Sequence, residues 1–151
     1  MTATTGLSMT GVPRSNAGRP VEFSGALVRA RCHHAATVVT ITGNIKSANI
    51  EQIASYCGRL TLAGKPMVLD VSGAHGSGAL CVRLVNILDA QCNNAGIELV
   101  IVPSDAVADQ LDGACGGSVS IVTSEQSALN YFADGLRARR QILLPLFAKT
   151  A

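Results

Sequence analysis

The residues able to do chemistry crowd into one stretch. Asp70 and Ser72 are followed by Gly73-Ala74-His75-Gly76-Ser77-Gly78, then Ala79, Leu80 and Cys81. Two chemistries can be written for it. Glycines between a strand and a helix can bring backbone amides to a nucleotide phosphate, and His75 with Cys81 has the composition of an activated thiol. The spacing is not Gly-x-Gly-x-x-Gly, and no Gly-Lys-Ser/Thr follows. Nucleotide binding, or a small enzyme built on the Gly73–Gly78 loop, therefore stands as the alternative reading. A non-enzymatic binding surface made of Asp70, Ser72, His75, Gly76, Ser77, Gly78, Ala79 and Leu80 is the other reading open to the same residues. No paired catalytic acids and no metal-ligand spacing stand out, so neither a metal nor another cofactor is expected.

The elements that must hold this stretch are legible in its periodicity. Met67, Val68, Leu69 and Val71 form an apolar run broken only by Asp70, as expected of a strand covered on both faces in the middle of a sheet. From Leu80 the period changes. At about 100° per residue, Leu80, Cys81, Leu84, Val85, Ile87 and Leu88 share one side, and Arg83, Asn86 and Asp89 the other. This predicts an amphipathic helix with Cys81 on its buried side, which argues against a reactive thiol. Asp70, at a strand end, is placed to bond the turn or to touch a partner, and Ser72 and His75 have the same two roles open.

Bulk properties narrow the function classes. The chain of 151 residues suits one domain. Hydrophobic residues make up 48% while aromatics make up only 3%, so aliphatic strands under Leu/Ala helices must supply the core, an α/β pattern. Twelve basic against ten acidic residues, spread along the chain, give no field that would steer nucleic acid or anionic lipid. No apolar run reaches the ~20 residues needed to cross a bilayer. Cys32, Cys57, Cys81, Cys92 and Cys115 are too far apart for a zinc or redox Cys-x-x-Cys site and read as free thiols of a cytoplasmic protein.

Along the rest of the chain, residues 1–24 mix Thr, Ser, Gly and Pro without a period and read as a flexible tail, with the domain spanning 25–151. Within the tail, Thr2, Thr4 and Thr5 are accessible acceptors for a kinase. Val28–Cys32 and Thr37–Thr42 read as antiparallel strands, and Ser47 as the cap of a helix carrying Ile50, Ile53, Cys57 and Leu60. Ile97–Val102 is a buried strand, Asp105 to Cys115 a short helix, and Ser118–Val122 the last strand. Thr123 and Gln126 have capping-box spacing ahead of a helix with Leu129, Phe132 and Leu136 inward. Ile142 to Phe147 either folds back on the body or supplies an interface, so a homodimer is open. The predicted order is ββαβαβαβα, about five strands and about four helices in a mixed sheet.

In this order the chain resembles the STAS domain, the fold of bacterial anti-sigma factor antagonists. Val38–Ile45, VVTITGNI, is similar to the family strand that ends in Gly-Glu-Leu/Ile-Asp, with Asn44 and Lys46 in place of its two acids. Met67–Gly73 resembles its apolar strand with Asp-Leu-Ser, and Ser124–Leu129 the start of its last helix. The resemblance implies a regulatory module that binds an anti-sigma factor or a related serine/threonine kinase in the control of transcription. It also implies a phosphoacceptor in Asp-Ser-Ser/Thr-Gly. Counted without gaps, that motif falls on Gly78, Ala79, Leu80 and Cys81, where the hydroxyl is missing. A three-residue deletion places His75-Gly76-Ser77-Gly78 under it instead, with Ser77 as acceptor.

Overall fold

The computed structural model describes residues 19–114 and 119–150, without the side chains of 106, 112–114 and 139–150. Six strands form one sheet in sequential order. β1 (Val21–Phe23), β2 (Ala26–Cys32) and β3 (Thr37–Asn44) make an antiparallel meander, and β4 (Met67–His75), β5 (Leu99–Val102) and β6 (Ser120–Ile121) continue from β3 in parallel. α1 (Ile50–Leu60), α2 (Gly78–Ala95) and α3 (Asp105–Ala114) connect the parallel strands, and α4 (Glu125–Thr150) follows β6. The mixed α/β class and the four helices agree with the sequence reading. The strand count is corrected from about five to six.

The added strand is β1, inside the stretch that composition assigned to the tail. Three residues are too few to show a period. Its pairing with β2 defines it, with Val21 opposite Val28 and Phe23 opposite Ala26. The turn between them places Ser24 at φ 48° and Gly25 at φ 102°, and the Phe23 ring packs 5.8 Å from that of Tyr56 on α1. Thr2, Thr4 and Thr5 lie outside the described residues.

The layers follow from chirality. Each parallel connection is expected to cross over right-handed. When the strand order advances in one direction, the crossover helices must then share a face. α1, α2 and α3 do so, closing over Val39, Ile41, Met67, Leu69, Val71, Leu99 and Ile101. α4 covers the other face with Ala128 and Phe132, packed on Val38, Val68, Val100 and Val102. This two-sided cover explains the continuous apolar runs: Val68, Leu69, Val100 and Ile101 are all completely buried. β2 alternates over its first four residues instead, with Ala26 and Val28 buried and Leu27 and Arg29 exposed, and exposed Arg31 pairs with Glu125 at the start of α4.

Several boundaries differ from the sequence reading. α1 begins after Asn49 rather than under a Ser47 cap. Asn49 is wholly buried. Its amide donates to the carbonyls of Phe23 and Asn44, both at 2.9 Å, and its Oδ1 accepts from the Lys46 amide at 2.8 Å. It thereby ties β1, the end of β3 and the start of α1 together. At α4, Ser124 Oγ accepts from the Ser127 amide at 3.1 Å, so Ser124 takes the capping role given to Thr123. The last strand contracts to Ser120–Ile121. α4 runs as one helix through Thr150, so Ile142 to Phe147 does not turn back as a separate segment.

Candidate functional site at the β4–α2 corner

The apolar alternation of β4 carries Met67, Leu69 and Val71 into the helix-covered core, and then Ala74 rather than Gly73. The break is a β-bulge. Asp70 pairs with Thr40 and Gly73 with Thr42, so two residues of β4, Val71 and Ser72, stand against Ile41 alone. Asp70 closes it: its Oδ1 accepts from the Ser72 amide at 3.0 Å and from the Ser72 hydroxyl at 2.6 Å. Of the two roles open for Asp70, the structure shows the bond to its own turn.

Beyond the bulge the strand persists to His75, with Gly73, Ala74 and His75 opposite Thr42, Gly43 and Asn44. This corrects the expectation of a loop from Gly73. The turn itself is Gly76-Ser77. Gly76 has φ +131°, and a β-carbon there would lie 2.5 Å from the Ile45 carbonyl oxygen. The Ile45 amide in turn donates to the His75 carbonyl at 2.8 Å. The end of β3 and the corner are thus one rigid unit, and exposed Asn44 and Lys46 stand beside exposed His75. Sequence reasoning had met Asn44 and Lys46 only as substitutions in a strand motif. Their Gly-Asn-Ile-Lys context was the signal that they belong to the same surface.

α2 begins at Gly78, two residues before the expected Leu80, because Ser77 is its N-cap. Ser77 Oγ accepts from the Leu80 amide at 3.2 Å, satisfying one donor of the first turn. Gly78 rests against the Gln110 side chain of α3. Ser72, His75, Gly76, Ser77 and Ala79 are exposed, and Asp70, Gly78 and Leu80 half-buried. The candidate residues therefore do gather at one corner, and the hydroxyl it presents at the helix start is Ser77.

The thiol reading is not favoured by the geometry. Cys81 is buried, and burial raises its pKa. Deeper between α1 and α2, burial first and the nearby Cys92 second push Cys57 up to about 12. Burial first and Asp89 second push Cys92 up to about 11. Such thiols stay protonated and unreactive near neutral pH. Cys115 lies outside the described residues. Among the described residues no group of three or more His, Cys, Asp or Glu is placed to hold a metal ion, and no helix is long and apolar enough to cross a membrane.

Comparison with known proteins agrees with this architecture. The chain is 43% identical over 137 residues to Osmosensory protein A of Mycobacterium tuberculosis, covering 87% of this chain and 86% of that protein. Its fold resembles the anti-sigma factor antagonist SpoIIAA in its unphosphorylated form, with TM-score 0.54 and 13% identity over 69% of this chain and 96% of the other. It also resembles an anti-sigma factor antagonist from Mycobacterium paratuberculosis, with TM-score 0.56 and 17% identity over 72% and 94% of the two chains. The family profile described as the STAS domain matches residues 28–114, a span that runs from within β2 to the end of α3 and holds the whole of the corner. The chain belongs to the STAS domain family.

Proposed function

We propose that this protein is a non-enzymatic regulatory module of the cytoplasm that docks an anti-sigma factor, or a related serine/threonine kinase, through the β4–α2 corner, and so acts in the control of transcription. The observation that carries the reading is the run His75–Ala79, exposed at every residue but half-buried Gly78, held on a strand-to-helix turn and flanked by Asn44 and Lys46. A surface fixed by its own backbone bonds loses little entropy when a partner covers it. The names of two fold relatives, both anti-sigma factor antagonists, support the partner class. The name of the sequence relative, an osmosensory protein, supports a role in signalling.

Two positions compete for a regulatory phosphate at this corner. Ala79 has no oxygen to accept one. Ser77 is exposed at the start of an 18-residue helix, where a phosphate would meet free N–H groups and add nearly two negative charges to the docking surface. Ser77 is therefore the acceptor we assign to the corner, with Thr2, Thr4 and Thr5 as sites for a separate kinase. The test is incubation with purified anti-sigma kinases and ATP, followed by mapping of phosphate by mass spectrometry. Phosphate on Ser77 that vanishes in Ser77→Ala supports the assignment. Phosphate confined to Thr2, Thr4 or Thr5 would leave the corner a docking site without a switch.

A further inference from the structure

The end of the sheet opposite the corner, where the parallel strands begin, carries a groove of about 380 Å³. Ala35 and Pro66 wall one side, and Phe132 and Gly135 of α4 the other, while Glu98 and Asp134 add carboxylates. Tyr131 donates to Glu98 Oε2 at 2.6 Å, fixing that carboxylate in place. Gly135 is unexplained by anything inside the domain. A β-carbon added there would meet nothing within 4 Å, yet glycine inside a helix costs about 1 kcal/mol relative to alanine. What it provides is room for another backbone to come close.

The same helix supplies the complementary chemistry. Among the described side chains Leu136 is the last of α4 packed on the sheet's outer face, and the helix continues to Thr150, roughly 20 Å further at 1.5 Å per residue. Arg137 pairs with Asp134 of its own helix at 3.7 Å, and the sequence of the extension beyond it is basic and then apolar: Arg139 and Arg140 precede Ile142, Leu143, Leu144, Leu146 and Phe147. These are the residue types that carboxylates and apolar walls select. A segment continuous in one helix with residues 131–136 cannot also double back into the groove those residues wall. It can reach the groove of another molecule. We propose that the chain forms a symmetric dimer in which the α4 extension of each copy lies in the other's groove beside Gly135, an isologous contact. The contact lies at the far end of β4 from the partner-binding corner and does not depend on that reading.

Sedimentation equilibrium of the full chain tests it. The wild-type protein is expected to be a dimer. Gly135→Leu fills the groove while raising helix propensity, so it should leave the circular dichroism spectrum unchanged and weaken the dimer roughly tenfold or more. Glu98→Arg alone, and Arg139→Glu with Arg140→Glu, should each weaken association, and the three changes together should restore it. Ala79→Arg should have no effect on it. A monomer at every concentration, a dimer indifferent to Gly135→Leu, or a charge reversal that fails to restore association would each overturn the proposal.

Discussion

Gly76 and Ile45 are in direct opposition: a β-carbon on Gly76 would sit 2.5 Å from the Ile45 carbonyl oxygen, and Gly76 already holds φ +131°. Two penalties therefore act on Gly76→Ala, the backbone conformation and the collision. Gly96 separates them. It also has positive φ, at +73°, as the C-cap of α2, but no atom lies within 4 Å of an added β-carbon. Gly96→Ala should cost about 1 kcal/mol of stability and Gly76→Ala about 1–3 kcal/mol more. Calorimetric melting of the two variants checks this. Equal losses would mean that the close approach to Ile45 constrains nothing.

Leu69 lies at the centre of the three-helix face with no exposed surface. Leu69→Ala should cost about 2–5 kcal/mol, and Leu69→Asp should unfold the domain because a buried charge there has no partner. In native hydrogen exchange, the amides of residues 67–71 should be among the slowest. Exchange at the rate of residues 19 and 22 would contradict their placement in mid-sheet.

What could be read from the sequence follows from how many residues each feature engages. The continuous runs at Val68–Leu69 and Val100–Ile101 announced strands covered on both faces, and the period from Cys81 to Leu88 announced a helix with its thiol inward. These patterns survive because many residues repeat the same preference. β1 did not, since Val21–Phe23 is too short to show a period and owes its form to pairing with β2 across a two-residue turn and to the buried Asn49, 26 residues away from Phe23. At the site, the run of candidate residues was legible but its geometry was not. The bulge at Val71–Ser72 shifts the alternation by one residue in a strand that runs on to His75, and the Ser77 cap starts the helix at Gly78 rather than Leu80. Whether the helix begins at Gly78 or at Leu80 was undecidable from spacing, because only the Ser77–Leu80 cap bond distinguishes them.

The buried thiols give the fold an alkaline limit. Burial pushes Cys57 and Cys92 up to about 12 and about 11 from the ordinary thiol value of 9.0. The unfolded chain therefore releases these protons first. By linkage the stabilisation is complete below pH 9 and is lost as pH rises through the folded-state values. The melting temperature should fall between pH 9 and 11, and fall less steeply in Cys57→Ala with Cys92→Ala. Parallel decline in both proteins would assign alkaline loss to other groups.

The glycines of the corner are explained by local packing, Gly76 by Ile45 and Gly78 by Gln110, with no need for a phosphate. Titration calorimetry with ATP, GTP and NAD is accordingly expected to show no binding. Micromolar binding abolished by Gly76→Val, in a variant that keeps its fold by circular dichroism, would favour the nucleotide reading instead.

The central claim is that the exposed face from His75 to Ala79 contacts the partner. It is measured most directly by titrating a purified anti-sigma factor against the wild-type protein and Ala79→Arg. Ala79 is exposed on the first turn of α2, so the arginine can be accommodated without disturbing the core. We expect saturable binding by the wild type and a loss of affinity of about tenfold or more in Ala79→Arg, ~1.4 kcal/mol, with an unchanged melting temperature. Equal affinity in the two proteins would place the interface elsewhere and contradict the account.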